Sequence, residues 1–438
     1  MSQYPDEIDL TTTQGVVVYL AATPFACAKA EPLSGGRTNF IFRLHLITPY
    51  QGRSTLVLKH ARPYSAITPE FSIPVSRQVR KKISPLSAFQ TEPLNVSCRA
   101  RHAIPQDFEV DALRRVRAHF PPDAPVTVPT VHHFDGAHHA IVMDDAGSRA
   151  LPLKAALLAG RVSRSRGAAL GRALGEFLRE LHARGRDDDR VGGLREAFGG
   201  NVLGQELAVY ATYGRLGSTL RALDRDGGGG GGESENGDRA LLRSVLGDEP
   251  LGVSEDTLRV VEALAERRAA QILEPTADGA DATFVMGDFW PGNILVVPEE
   301  EGDGDDQRQG QRQQPSFVVD WEIAKAGQAG LDVGQFCAEL ATLRRLRPDE
   351  RAEAAGETLA SFVRAYFAGD VGPRAEETRR EAVGHFGVHL AVWTARTGWD
   401  GGAGPTRALV LDGVARLVEG ADADRVWTDE ELVQTFLR

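Results

Sequence analysis

Hydrophobic patterning changes character once along this chain, and that change limits the folds open to it. In the first third, Gly15 to Leu20, Thr38 to Ile47 and Thr55 to Lys59 are rich in β-branched and aromatic residues, which predicts a small antiparallel sheet. The stretches AIVMDDAG (140–147) and PSFVVDW (315–321) have the same look. Beyond them, GAALGRALGEFLRELHARG puts Leu170, Leu174, Phe177, Leu178 and Leu181 on one helical face and stops at a glycine. Further helical patterns run over 255–273, 332–346, 351–368 and 375–395. A strand-rich part followed by a helix-rich part with one later hairpin predicts an α+β protein.

The chain has 438 residues, of which 42% are hydrophobic, enough for a sizeable core and long for one unit, so two lobes are expected. The net charge of −11, with acidic residues gathered in loops, argues against a nucleic-acid partner. Cys27, Cys98 and Cys337 are far apart and odd in number, which suits a reducing compartment. The acidic, polar start MSQYPDEIDL resembles neither a secretory nor a transit sequence, and GVVVYLAATPFACA is too short to span a bilayer. A cytoplasmic protein, away from the membrane and working as a monomer or homodimer, is the expectation. Three polar tracts, 67–105, 225–238 and 299–315, read as inserted loops. The cluster Arg77, Arg80, Lys81 and Lys82 in the first of them is either a solvated loop face or a localisation or docking signal.

The segment FVMGDFWPGNILVV (284–297) sets Asp288 five residues before Asn293 in a bend between two β-branched runs. Those residue types turn well, so a plain turn accounts for them. The same spacing also fits a phosphoryl-transfer loop, where the Asp takes the proton of the attacking hydroxyl and the Asn amide oxygen holds a magnesium ion. Downstream, FVVDWE ends a strand in Asp320, a second hard oxygen ligand, and Mg²⁺ commonly takes only one or two from the protein.

Upstream, EPLSGGRTNFIFRL holds Ser34, Gly35 and Gly36 in a turn whose backbone amides can approach phosphate oxygens. Lys59, at the end of STLVLK, suits a lysine that pairs with the α- and β-phosphates, or one that caps an edge strand. Glu109, on the predicted helix FEVDALRRVRAHF, either fixes Lys59 by an ion pair or is an ordinary solvated charge. Met143, Asp144 and Asp145 end an apolar strand in a polar link suited to a hinge whose backbone pairs with adenine.

In this order LSGGRTNFIFRL, LVLKH, MDDAG, GRALGEFLRELH, MGDFWPGNILV and VVDWE resemble the aminoglycoside phosphotransferase and choline kinase superfamily; LVLKHARPY is also similar to methylthioribose kinases. The resemblance implies a bilobal protein-kinase-like fold. Its antiparallel-sheet N-lobe would be 1–145, with the insert at 67–105, and its mainly helical C-lobe 146–438. It implies ATP and Mg²⁺ between the lobes and transfer of phosphate to a hydroxyl of a small molecule. Lys59 becomes the phosphate lysine, Glu109 its partner, Asp288 the base, and Asn293 and Asp320 the metal ligands. Asp332, in LDVGQF, matches a family Asp, and a helix N-cap suffices to explain it.

One position departs from the family pattern. Met286 stands where a His usually precedes Gly-Asp, and a thioether fills volume but makes only weak polar contacts. The acceptor site is expected in the helical lobe near HFGVHLAVWTARTGW, whose His385, His389, Trp393 and Trp399 are either core or substrate contacts. Two rivals stand beside the small-molecule kinase. One is a protein Ser/Thr kinase, for which no Asp-Phe-Gly or Ala-Pro-Glu landmark is present; the other is a nucleotide-binding pseudokinase or scaffold, motivated by Met286 and the inserts.

Overall fold

The computed structural model describes residues 8–33, 39–61, 106–121, 123–187, 193–221, 233–275, 282–299, 315–347, 349–397 and 401–438, without the side chains of 233–237. They divide into two units: the described residues up to Ala150 with Phe317–Glu322, and those of Leu151–Ser316 with Ile323–Arg438. Ser34, Gly35, Gly36, the basic cluster at 77–82, Trp399 and nearly all of the three polar tracts lie outside the described residues. The end of the second tract does not: residues expected to loop as far as 238 enter a helix at Glu233, and Asp238 on it pairs with Arg396 at 2.6 Å.

The first unit runs α1 (Thr13–Leu20), β1 (Cys27–Pro32), β2 (Asn39–Tyr50), β3 (Arg53–Ala61), α2 (Gln106–His119), β4 (Val126–Thr127), β5 (Val131–Asp135) and β6 (Ala140–Asp144). Its sheet has the order β1-β2-β3-β6-β5, every pair antiparallel, as the strand patterning predicts. GVVVYL departs from expectation, because it is helix α1 rather than a strand. The Thr12 side chain caps the helix by accepting from Gly15 N, and Val16 and Leu20, four residues apart, bury one stripe. That stripe joins Ala30, Phe42, Leu44, Leu56, Leu58 and Val142 in one apolar cluster. Tertiary burial therefore overrides the β-propensity of three consecutive valines. Lys59 stands on the other face of β3, buried although charged.

The second unit opens with β7 (Leu151–Pro152), α3 (Leu153–Leu158), α4 (Arg164–Asp187), α5 (Leu194–Gly199), α6 (Val202–Ala211), α7 (Tyr213–Arg221), α8 (Glu233–Leu246) and α9 (Glu255–Leu273). After β8 (Thr283–Val285), β9 (Ile294–Val296), β10 (Ser316–Val318, which leads into the first unit) and β11 (Lys325–Gly327) it ends in five helices. These are α10 (Gly330–Leu346), α11 (Glu350–Tyr366), α12 (Pro373–Trp393), α13 (Ala403–Glu419) and α14 (Asp429–Leu437). The five leucine and phenylalanine positions read as one face of α4 are all buried, but the helix continues through Gly185 to Asp187. Gly167, Gly171 and Gly175 recur every fourth residue on α4. A Cβ on Gly171 would lie 2.1 Å from Thr358 O, so α4 and α11 meet backbone to backbone. This contact fixes the line of α4 and carries its far end, with His182, to Tyr366 of α11.

Candidate active site

Around Lys59 the first unit gathers three carboxylates on one ammonium. Lys59 Nζ is 2.8 Å from the Glu109 carboxylate, 2.6 Å from Asp320 Oδ1 and 3.5 Å from Glu322 Oε2. Asn39 Nδ2 donates to Glu322 at 2.9 Å. Burial works against the Lys59 charge, but Asp320, Glu109 and Glu322 outweigh it and hold the pKa well above the ordinary lysine value. Burial pushes Glu109 up to about 7, with Lys59 pulling down and Asp320 and Glu322 pushing up. Burial and the Asp320 charge likewise raise Glu322. Ligand oxygens of Glu109, Asp320 and Glu322 lie within 4.8 Å of one another, a hard-oxygen set able to take a cation. Asp320 has a left-handed backbone (φ 69°), and its side chain, 34% exposed, is the most open of the three.

The residues expected at the hinge are engaged within their own unit. Asp144 accepts from Thr130 N, His132 Nε2 and Arg53 Nε, while its own N–H goes to Thr130 O. Asp145 takes Arg43 Nε at 2.7 Å and Gly147 N at 2.9 Å. Met143 is buried and pairs with Val57 and Val131.

In the second unit, β8 leads into the Met286–Asp288 turn and a 3-10 turn, Pro291–Asn293, leads out of it. β8 and β9 do not pair with each other as a hairpin would: β8 pairs with β11, and β9 pairs with β7. Both oxygens of Asp288 are held by side-chain amides. Asn293 Nδ2 donates to Oδ2 at 2.9 Å and Gln335 Nε2 donates to Oδ1 at 2.6 Å. Asn293 also donates to Asp288 O at 3.1 Å, so its amide nitrogen is committed and its Oδ1 is left for another partner.

Asp332 corrects the N-cap expectation. It lies inside α10, whose N-cap position is Ala329, and its carboxylate reaches the base turn instead. Met286 N donates to Oδ2 and Gly287 N to Oδ1, both at 2.8 Å. His182 Nε2 is 3.2 Å from Oδ2, and the other ring nitrogen is 2.7 Å from Tyr366 Oη. Burial lowers the His182 pKa against the pull of Asp332, which keeps the ring neutral. Met286 is fully buried and contributes its backbone N–H and its volume.

Two further charged groups surround this loop. Lys325 is fully buried, and burial lowers its pKa to about 8 although Asp332 and Asp288 oppose this. Glu339, one turn beyond Gln335 on α10, is 3.0 Å from His389 Nε2 and 3.3 Å from Lys154 Nζ. Burial would raise its pKa, but His389 and Lys154 hold it below the ordinary value, so it stays a carboxylate. Lys154 Nζ sits over the Trp290 ring, 5.2 Å from the centroid, and His389 stacks on Trp393. Of the aromatic residues considered for an acceptor, His389 thus lies beside Glu339 with Trp393 stacked on it, whereas His385 turns to Tyr213 in the core.

The sequence reading passed over His182, Lys325, Gln335 and Glu339. A signal for two of them was present: Asp332, Gln335 and Glu339 fall at i, i+3 and i+7, a polar stripe on the apolar first half of the helix.

No family model matches the chain. It is similar to the 4-hydroxytryptamine kinase of Psilocybe cyanescens, 22% identical over 394 residues, covering 89% of this chain and 88% of that protein. It is also similar to the 4-hydroxytryptamine kinase of Psilocybe cubensis, 24% identical over 348 residues, 78% of this chain and 76% of the other. Among solved structures, a choline/ethanolamine kinase family protein from Mesorhizobium loti is 15% identical with a TM-score of 0.39, covering 97% of this chain and 98% of that one. The relatives are small-molecule kinases, in agreement with the resemblance read from the motifs and with ATP as the phosphoryl donor.

Proposed function

We propose that this small-molecule kinase uses Asp288 as the general base of phosphoryl transfer, with Lys59 on the ATP phosphates and Asn293 and Asp320 as ligands of Mg²⁺. The observation that carries the reading is the fixed Asp288 carboxylate. Both its oxygens accept from side-chain amides, and the turn that presents it is tied by two backbone N–H groups to Asp332. A plain turn needs none of this. Phosphoryl transfer asks for positioning and charge neutralisation rather than covalent help.

In this reading the acceptor hydroxyl gives its proton to Asp288 as its oxygen bonds to the γ-phosphorus. The bond from that phosphorus to the β–γ bridging oxygen breaks, leaving ADP. Lys59, held by Glu109, neutralises phosphate charge. Magnesium, when bound, would draw electron density from the phosphate oxygens, and the free amide oxygen of Asn293 and the exposed side of Asp320 fit such a hard cation. Met286 keeps the turn by packing and by its N–H, so its thioether does not speak for a silenced scaffold.

The acceptor carries an amine in the reading that Glu339 favours. A carboxylate kept ionised while buried, with aromatic faces from Trp290 and Trp393 near its partners, suits an ammonium. It stands one turn of α10 from the residue that touches the base, about the length of a small hydroxylated amine. The relatives' 4-hydroxytryptamine has this chemistry. The test is phosphate transfer from Mg-ATP to 4-hydroxytryptamine, ethanolamine and a neutral alcohol. Product from an amine and none from the neutral alcohol is expected; product from the neutral alcohol alone would exclude the amine site.

A further inference from the structure

Lys325 is a buried charge with no use so far. Its side chain is fully buried, in β11 opposite Val285 of β8. Stranding an ammonium away from water costs far more than burying an apolar side chain, so a residue needed only for volume would not be lysine. Its hydrogen bonding among the described residues is weak, a single contact of 3.4 Å to Ile323 O. What holds the charge must therefore be the surrounding field.

The place of Nζ is set by Gly287. A Cβ on that glycine, whose φ is +82°, would lie 2.2 Å from Lys325 Nζ and 2.8 Å from Ile323 O. The ammonium thus packs against the backbone immediately before Asp288, in the space that a side chain on the turn would take. The carboxylates whose charges act on it are Asp332 and Asp288. Asp332 already receives Met286 N, Gly287 N and His182, so its hydrogen bonding is satisfied without Lys325. His385, on α12, feels the Lys325 charge and is pushed well below the ordinary histidine value, burial being the larger cause, so it adds no cation. From α5, which packs on β11, the buried side chains are Leu194 and Phe198.

We infer that Lys325 is a positioning residue for Asp288: packed against Gly287, its ammonium is the buried counter-charge that holds the turn and the ionised base in place. It supplies from a neighbouring strand the polar support that Met286, a thioether, does not give. The inference rests on the reading of Asp288 as the base, but one arm of its test does not.

The competing explanation is that Lys325 only neutralises Asp332, and two cycles separate them. The first reads melting temperature and needs no acceptor. Asp288→Asn is made in the wild-type and in the Lys325→Met background. If the ammonium acts on Asp288, removing the carboxylate should be neutral or harmful in the wild type and helpful in the variant, the two changes differing by roughly 2 °C or more. Equal changes in both backgrounds overturn the inference. Should Lys325→Met not fold, the cycle is built on Asp332→Asn, where the charges around the lysine are rebalanced.

The second cycle reads turnover of Mg-ATP with 4-hydroxytryptamine, or phosphate release from Mg-ATP alone if that amine is not taken. Lys325→Met/Asp332→Asn should be at least about tenfold slower in kcat than Asp332→Asn, with KM for ATP unchanged. Equal kcat in the two would mean that Lys325 acts only through Asp332, and the inference fails. No turnover by the wild type under either condition would count against the proposed function, while the melting cycle still decides the role of Lys325.

Discussion

Gln335 donates from Nε2 to Asp288 Oδ1 at 2.6 Å, so the proposed base is held from a helix and not merely by its own loop. With Asn293 on the other oxygen, the carboxylate has one orientation.

Replacing Gln335 by Leu should leave ATP binding unchanged and lower kcat by about tenfold, the effect of losing roughly 1.4 kcal/mol of positioning. Steady-state kinetics on an accepted amine checks it. A raised KM for ATP with kcat unchanged would place Gln335 in nucleotide binding instead.

The helical half of the fold was legible because periodicity is a local property: the expected spans over 255–273 and 332–346 match α9 and α10 to within two residues. GVVVYL was misread because three valines speak for a strand, and only contact with the sheet core makes Val16 and Leu20 a helical stripe. The site divides in the same way. Asp288, Asn293, Asp320 and Lys59 could be named as candidates because they stand in local motifs whose order along the chain carries the family resemblance. Asp332 shows the limit: its place near a helix start suggests a cap, whereas its partners Met286 and Gly287 are more than forty residues away in sequence. Lys325 gave no signal, since a lysine in a short strand is ordinary until its burial is known.

Asp332 ties together Met286, Gly287 and His182, and Asp332→Ala would strand their donors. A loss of about 3 to 5 kcal/mol is expected, the usual cost of breaking a buried charged network. Denaturant unfolding against wild type measures it. A loss below about 1 kcal/mol would mean that the base turn holds its shape without the carboxylate.

Glu339→Gln should raise KM for a hydroxylated amine by about ten- to a hundredfold, with KM for ATP unchanged, because a charge-assisted contact becomes a neutral one. Unchanged KM for the amine would remove Glu339 from the acceptor site.

Glu381, on α12 near Arg268 with its side chain only 10% exposed, predicts a pH dependence of stability. Burial raises its pKa from the ordinary 4.5 to about 7, against the pull of Arg268 and with the push of Glu377. A carboxyl whose pKa is raised by folding contributes stability that is fully present below pH 4.5 and is lost as pH rises through 7, here roughly 2 to 3 kcal/mol. The melting temperature should therefore fall between about pH 5 and 7, and Glu381→Gln, which mimics the protonated form, should flatten that slope. An unchanged slope in the variant would assign the effect to other groups.

The central claim is that Asp288 is a base, and Asp288→Asn tests it most directly. The variant keeps the shape of the carboxylate but cannot take a proton. Calorimetric titration with Mg-ATP and turnover of the best acceptor are measured on the same preparations of variant and wild type. The account predicts unchanged nucleotide affinity with kcat lower by about two to four orders of magnitude. Turnover equal to wild type would contradict it, and the bend that holds Asp288 and Asn293 would then be only a turn.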